Sequence, residues 1–127
     1  MDFVNIASGS KGNCTVVSSN NTTLLIDDGI NIRTLEERAR LSNIDLRNVN
    51  ALLITHEHCD HIKGIASFVA KYHIPVYCHS ESRYGLDSKT LAYVQDNDMD
   101  LPFEIGDIAV KPFRLPHDSN YNLGYRL

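Results

Sequence analysis

The pattern of hydrophobic and polar positions in the first part of the chain predicts β-strands. Residues 3–7 form a short β-like run that stops at a polar loop with two glycines, residues 8–13. The runs 14–18 and 22–27 are rich in β-branched and aliphatic residues, and Ser19-Asn20-Asn21 separates them. A strand, an asparagine-rich turn and a second strand together indicate a β-hairpin.

The next segment has the spacing of a helix and is followed by a buried strand. Asn31 is a suitable N-cap for a helix through about Leu41. One face of this helix carries Ile32, Leu35 and Ala39. Residues 51–55 then form a continuous apolar run, as expected for a strand that is buried on both faces.

A second helix is predicted just after this run, beginning near Asp60 or His61. Apolar residues at helical spacing indicate it, namely Ile62, Ile65, Phe68, Val69 and Tyr72. Residues 75–78 predict the next strand. Residues 80–98 are ambiguous and suggest a helix that ends in the acidic stretch 95–100.

The last part of the chain returns to strands. Residues 103–110 resemble a hairpin with a Gly-Asp turn. Its second strand is expected to continue to His117, and residues 122–127 predict a further strand. Strands followed by alternating helices and strands favour a layered α/β (α+β) domain with a mixed β-sheet. No repeat or linker divides residues 1–127.

Composition narrows the class of protein. The 127 residues are 43% hydrophobic and 22% charged, which is typical of one soluble globular domain. The net charge of −4 gives no overall attraction to nucleic acid. Three cysteines, an odd number without paired spacing, suit a reducing compartment. With neither a signal peptide nor a membrane-length apolar stretch in the sequence, we expect a cytoplasmic protein without a membrane partner.

The segment that carries chemistry follows the apolar run 51–55 directly, and it reads His56-Glu57-His58-Cys59-Asp60-His61. Zinc and related ions take imidazole nitrogen and carboxylate oxygen as ligands. His56 and His58 are two residues apart in an extended loop, so they project to the same side and can grip one metal. Asp60 and His61 fall where a helix begins, and they can serve a second ion. A solvated polar loop is the alternative, but four ligand-type side chains in six residues disfavour it.

This segment resembles the His-x-His-x-Asp-His signature of the metallo-β-lactamase superfamily, whose fold is a four-layered αββα sandwich. Asp27, in Leu-Ile-Asp-Asp-Gly, resembles the first motif of that family, an acid at a strand end that supports the metal ligands. The adjacent Asp28 is the alternative for this role. His117, in Leu-Pro-His-Asp, resembles the third motif, a further ligand at a strand end.

The resemblance implies a ligand set for one or two divalent metal ions. His56, His58 and His117 would hold the first metal, and Asp60 and His61 would hold part of the second. Asp60 is also the candidate catalytic residue. The implied ion is zinc, with manganese or iron as alternatives that histidine and aspartate ligands also suit. The implied chemistry is hydrolysis by a metal-bound hydroxide.

Three short segments narrow the resemblance to the YycJ/WalJ branch, bacterial proteins related to nucleases of this superfamily. They are residues 7–14, 55–58 and 116–118. This branch implies phosphodiester hydrolysis, with DNA exonuclease activity as the specific expectation. Fold and ligands do not choose the substrate. A small-molecule hydrolase of esters, lactones, thioesters or sulfate esters is therefore one alternative, and a catalytically incomplete metal-binding domain is another.

The later motifs of the family, an aspartate that bridges two metals and a final histidine, have no counterpart in residues 1–127. We therefore interpret the sequence as a single partial domain, the N-terminal half of the fold. A sheet face left open would favour self-association, and activity of the chain alone would be reduced or absent.

The remaining cysteines and histidines are interpreted without a role in the site. Cys59 should point away from the metals, and Cys14 and Cys78 are expected to be buried small hydrophobes. His79 follows a strand end, and an ordinary surface histidine is favoured over the alternative that it lines the cleft. His73 lies at a helix end and is assigned no function.

Overall fold

A mixed sheet of five strands is the centre of the fold. The computed structural model describes residues 1–9, 12–55, 59–114 and 123–127, and it describes only the backbone of Cys59 and Asp60. The strands are β1 (Asp2–Ala7), β2 (Cys14–Ser18), β3 (Thr23–Ile26), β4 (Ala51–Leu53) and β5 (Val76–Tyr77), and they lie in that order. The pairs β1–β2 and β2–β3 are antiparallel, whereas β3–β4 and β4–β5 are parallel. The predicted hairpin is confirmed.

The first predicted helix, α1 (Ile32–Leu41), is also confirmed, together with its cap. The Oδ1 atom of Asn31 accepts a hydrogen bond from the backbone N–H of Thr34 at 2.9 Å. This bond satisfies one of the amides that the first turn of a helix leaves without an intrahelical partner.

The second predicted helix is two helices, α2 (Cys59–Ile62) and α3 (Ile65–Tyr72), and the prediction of a single helix was wrong. Gly64 separates them. Its N–H donates to the carbonyl of Asp28 at 2.8 Å, and a Cβ built on Gly64 would lie 1.8 Å from the carbonyl oxygen of Ile30. The backbone here packs so closely against residues 28–30 that the helix is interrupted.

Residues 80–98 contain a 3₁₀-helix (Ser80–Gly85) and a short helix α4 (Ser88–Leu91). The predicted helix into the acidic stretch 95–100 was wrong, because the chain instead pairs beside β5 after Leu91. Val76 donates to the carbonyl of Tyr93 at 2.9 Å and accepts from the N–H of Gln95 at 2.8 Å. Within the described ranges, no helix is long and apolar enough to cross a membrane.

A second, antiparallel sheet contains β6 (Phe103–Ile105), β7 (Ile108–Arg114) and β8 (Leu123–Arg126). Gly106 takes a positive φ of 57° in the turn between β6 and β7. The predicted hairpin and final strand are confirmed. The predicted continuation of β7 to His117 lies outside the described residues.

Alternate residues of the first sheet enter two different cores. One core contains the inner residues of α1 and α3 with one face of the sheet, including Val16, Leu25 and Leu52. The other core lies between the two sheets and contains the neighbouring residues Val17, Leu24 and Leu53. Because both faces of the first sheet are covered, the fold has a helix layer, a mixed sheet and a second sheet. The predicted layered fold class is confirmed.

Candidate metal centre

Three parallel strands bring their carboxyl ends to one edge of the five-stranded sheet. Asp27 follows β3 directly, Thr55 lies two residues after β4, and His79 lies two residues after β5. Ligand sites of proteins with parallel sheets are commonly built at this edge, where loops leave the strands. The described part of the candidate site lies here.

Asp27 is held in an uncommon backbone conformation at this edge. Its φ is +60°, which few residues other than glycine adopt, although aspartate tolerates it. The N–H of Asp27 donates to the carbonyl of Leu53 at 2.8 Å, so the turn is tied to β4. The side chain is buried, with only 4% of the residue exposed.

Thr55 fixes both oxygens of the Asp27 carboxylate. The backbone N–H of Thr55 donates to Oδ1 at 2.8 Å, and its hydroxyl donates to Oδ2 at 2.7 Å. A carboxylate with two donors on two oxygens has little rotational freedom. Its remaining acceptor capacity is therefore presented in a fixed direction.

The carboxylate of Asp27 faces His61. Oδ2 of Asp27 lies 2.6 Å from Nδ1 of His61, a distance at which Nδ1–H donates to the carboxylate. This contact places the imidazole hydrogen on Nδ1 and leaves Nε2 with its lone pair. A metal-binding histidine commonly has this arrangement, in which a carboxylate behind the ring sets its tautomer and orientation.

Asn13 lies on the other side of the His61 ring. Its Nδ2 is 3.3 Å from Nε2 of His61, on the lone-pair side of that nitrogen. Two hydrogen bonds also join Asn13 to Gly9. The N–H of Gly9 donates to Oδ1 of Asn13 at 3.2 Å, and Nδ2 of Asn13 donates to the carbonyl of Gly9 at 3.1 Å. The glycine-containing loop after β1 thus reaches the candidate site through Asn13.

Asp28 has a different environment from its neighbour Asp27. Its carboxylate is fully buried, and neither oxygen has a hydrogen-bond partner within the described structure. Burial raises the pKa of Asp28 to about 7; the nearby Ile30 amide offsets part of this rise, and the charge of Asp27 adds to it. The sequence left Asp27 and Asp28 as alternatives, and the structure brings Asp27 against His61.

The described structure contains part of the predicted ligand set. His56, His58 and His117 lie outside the described residues, and Asp60 is described by its backbone alone. Among the side chains that the structure describes, which exclude those of Cys59 and Asp60, no three histidine, cysteine, aspartate or glutamate residues converge on one point. His61, with Nδ1 bonded to a carboxylate and a lone pair on Nε2, fits a metal ligand.

Thr55 and Asn13 are contacts that the sequence analysis did not assign. The signal for Thr55 was its position between the buried strand and His56, where a hydroxyl can reach a carboxylate on the adjacent strand. Asn13 carried no comparable signal, because its place beside His61 depends on contacts between residues 48 positions apart.

The second sheet also contacts this edge. The Tyr125 hydroxyl donates to the carbonyl of Ile54 at 2.5 Å, and the N–H of Leu123 donates to the carbonyl of Thr55 at 2.8 Å. Burial raises the pKa of Tyr125 far above its usual range, and the charges of Asp27 and the Cys78 thiolate add to the rise. Tyr125 is therefore a neutral hydrogen-bond donor that fixes the end of β4.

Two cysteines and one histidine near the site were also assigned from sequence. Cys14 and Cys78 are buried free thiols, as predicted, and burial raises the pKa of both, that of Cys78 to about 11. His79 was expected on the surface, and this prediction was wrong because only 8% of it is exposed. His79 is the N-cap of the 3₁₀-helix Ser80–Gly85, and its Nδ1 accepts a hydrogen bond from the N–H of Glu81 at 3.1 Å.

Comparison with known proteins gives a family match over most of the chain. A family model described as the metallo-beta-lactamase superfamily matches residues 7–122. The chain is 31% identical over 125 residues to the exodeoxyribonuclease YycJ of Bacillus anthracis, covering 94% of this chain and 47% of that protein. It is 28% identical over 120 residues to the exodeoxyribonuclease WalJ of Streptococcus pneumoniae, covering 90% of this chain and 45% of that protein. The chain thus spans about half the length of these relatives.

Solved structures give the same fold. The subclass B3 metallo-β-lactamase MEM-A1, from a soil metagenome library, matches with a TM-score of 0.77 at 19% identity, over 97% of this chain and 53% of that chain. The B3 metallo-β-lactamase BLEG-1 matches with a TM-score of 0.76 at 22% identity, over 98% of this chain and 66% of that chain. At these identities the likeness establishes the fold and leaves the substrate open.

Proposed function

Because the chain belongs to the metallo-β-lactamase superfamily, we propose that it forms the metal-binding part of a hydrolase that cleaves phosphodiester bonds in DNA. The choice of DNA is supported by two relatives named exodeoxyribonucleases, at 31% and 28% identity. The chain spans about half the length of each of these relatives. The activity of the whole protein is therefore also part of the proposal.

One observation carries the metal-binding part of the proposal. Thr55, Asp27 and His61 form a hydrogen-bonded series whose last member keeps its Nε2 lone pair at the strand edge. A carboxylate behind an imidazole is the usual support of a metal ligand, and it also raises the basicity of that ligand. His61 is thus prepared to bind a cation.

We assign the metal ligands by the family motif. His56, His58 and His117 are the proposed ligands of a first ion, and Asp60 and His61 are proposed for a second. Zinc is the proposed ion, with manganese or iron as alternatives. When bound, such an ion lowers the pKa of water and polarises the phosphoryl oxygen under attack. Asp60 remains the proposed catalytic residue.

The described residues contribute to this chemistry by orienting the His61 ring and the end of β4. Asp27 holds the hydrogen on Nδ1 of His61, and Thr55 prevents the carboxylate from rotating away. Asn13 donates toward Nε2, so metal binding requires Asn13 to release this nitrogen. Tyr125 keeps the end of β4 in place from the second sheet.

Metal content is the first test. The chain is purified without added metal and analysed by mass spectrometry beside a double variant, His56→Ala with His58→Ala. We expect close to one ion per wild-type chain and loss of that ion in the double variant. Equal metal content in both proteins, or a folded wild-type chain that holds none, would contradict the proposed site.

Hydrolysis is the second test. Linear double-stranded DNA and a small lactone are offered to the metal-loaded chain at increasing salt concentrations. DNA cleavage that falls steeply with salt supports a nuclease, because contacts to phosphates release counterions. Lactone turnover without DNA cleavage, nearly independent of salt, would instead support a small-molecule hydrolase. A metal-loaded chain that hydrolyses neither would support the metal-binding domain.

We also propose that the protein works in a reducing compartment such as the cytoplasm. Cys14 and Cys78 are free and buried. Free buried thiols are common where disulfides do not form. A fusion to a redox-insensitive fluorescent protein, viewed in live cells, would locate it.

A further inference from the structure

The Asn13 side chain contacts the one nitrogen of His61 that the proposed function reserves for a cation. Its Nδ2 is 3.3 Å from Nε2 of His61, whereas Asp27 contacts Nδ1 on the opposite side of the ring. The His61 side chain is only 16% exposed, so little solvent reaches the ring. The amide of Asn13 and a metal ion would therefore need the same nitrogen.

The two bonds between Asn13 and Gly9 establish which atom of the amide faces His61. The N–H of Gly9 donates to Oδ1, and Nδ2 donates to the carbonyl of Gly9. A flipped amide would place a donor against the N–H and an acceptor against the carbonyl, so it would lose both bonds. Nδ2, which can only donate, is therefore the atom that faces Nε2.

The His61 ring is complementary to this donor. Asp27 holds the imidazole hydrogen on Nδ1, so Nε2 has a lone pair that can accept a hydrogen bond. A donor facing Nε2 disfavours the other tautomer, because two N–H groups would then meet. Asn13 and Asp27 thus hold the ring from both ends, in the tautomer that a metal requires.

The backbone of Asn13 is held independently of its side chain. Its carbonyl accepts from the N–H of Gly29 at 2.9 Å, and β2 begins at the next residue. Gly9 is exposed, so water can replace the amide of Asn13 there. The side chain can therefore turn away from His61 while the backbone keeps its place beside β3.

We propose that Asn13 is a positioning residue that holds the His61 ring through Nε2 until a metal ion displaces its amide. The inference rests on the proposed metal-binding function. A bond that exists only without the metal stabilises the metal-free protein and opposes metal binding by the same free energy. The two neighbours of the ring therefore act in opposite directions, since Asp27 raises the metal affinity and Asn13 lowers it.

Replacing Asn13 by alanine removes the amide and keeps the backbone bond to Gly29. We expect Asn13→Ala to melt lower than the wild type in EDTA. In calorimetry it should bind zinc about 2- to 10-fold more tightly, which is the net effect of one hydrogen bond. A purely structural contact would lower the melting temperature with and without zinc and leave the affinity unchanged.

Asn31→Ala is the matched control. It removes the hydrogen bond to the N–H of Thr34 that caps α1. This variant should also melt lower in EDTA, but its zinc affinity should equal that of the wild type. The pair separates a change in the site from a general loss of stability.

Hydrogen exchange of the wild type gives a second measurement, which does not depend on the folding of a variant. Without metal, the side-chain amide hydrogens of Asn13 should exchange with solvent more slowly than those of the exposed Asn20. Loading with zinc should speed the exchange at Asn13 and leave Asn20 unchanged, as followed by NMR. Exchange at Asn13 that zinc does not alter would overturn the inference.

The zinc titrations distinguish failure of this inference from failure of the proposed function. If Asn13→Ala binds zinc as tightly as the wild type, or more weakly, the amide does not compete with the metal. The inference is then overturned while the proposed function stands. A wild-type chain that binds no zinc would overturn both.

Discussion

The carboxylate of Asp27 and the imidazole of His61 are joined at 2.6 Å although the two residues are 34 positions apart. Asp27 follows β3 directly, and His61 belongs to α2, which begins six residues after β4. The contact therefore exists only when β3 and β4 are paired in register. A correctly folded sheet is thus required before His61 has the tautomer that a metal needs.

Replacing Asp27 by asparagine should weaken metal binding while keeping the shape of the side chain. The amide oxygen can still accept from Thr55, but the amide hydrogens would face Nδ1 and move the imidazole hydrogen to Nε2. We expect zinc affinity to fall about 10- to 100-fold. Calorimetric titration of Asp27→Asn measures this, with melting in EDTA to establish that the variant is folded. Undiminished affinity would show that the contact is not needed.

Replacing Asp28 by asparagine should stabilise the metal-free protein at neutral pH. Burial raises the pKa of Asp28 from its ordinary 3.8 to about 7, so the folded chain binds more protons than the unfolded chain in this interval. The contribution of Asp28 to stability is therefore most favourable below about pH 4 and is lost as pH rises toward 7.

Urea unfolding in EDTA at about pH 5 and about pH 8 tests this linkage. The wild type should lose stability between the two values, and Asp28→Asn should lose less. If Asp28→Asn instead loses more stability than the wild type between the two pH values, the carboxylate is ionised and stabilised in the folded protein.

Replacing Gly64 by alanine should destabilise the fold. The added Cβ would lie 1.8 Å from the carbonyl oxygen of Ile30 and 2.7 Å from Oδ1 of Asp28. Relief of such a clash requires backbone movement, which costs about 1–3 kcal/mol or more. Gly9→Ala is the comparison, because its Cβ would meet no atom within 4 Å and only its φ of +99° is strained. Urea unfolding should show the larger loss for Gly64→Ala.

The two buried thiols should resist modification in the native protein. Burial raises the pKa of Cys14 and Cys78, and the thiolate is the reactive form. In a Cys59→Ser background, a disulfide reagent should react only slowly with the folded chain. After denaturation it should react quickly with both thiols. Fast reaction of the native protein would mean that one of these residues is open to solvent.

The sequence predicted those elements whose signals are local. The hairpins have turn residues at the right spacing, and Asn31 both begins and caps α1. The break at Gly64 was missed, since its cause is the backbone of Ile30, which is distant in sequence. A glycine within a helical pattern does not by itself reveal what packs against it.

The sequence predicted the type of site but not the contacts that surround it. The sequence favoured Asp27 as the acid that supports the ligands, but it did not separate Asp27 well from the adjacent Asp28. The choice depends on the positive φ of Asp27 and on its bond to Leu53. The burial of His79 was missed for a related reason, because a residue that caps the N-terminus of a short 3₁₀-helix is not part of an apolar periodicity.

The contact between Tyr125 and Ile54 has a consequence for protein synthesis. Its partners are 71 residues apart, and Ile54 directly precedes the Thr55 that holds Asp27. While the chain emerges from the ribosome, the end of β4 lacks this support until β8 has been made. Asp27, Thr55 and His61 are therefore all synthesised before the strand that holds the end of β4 in place, and their arrangement is completed only when β8 joins the second sheet.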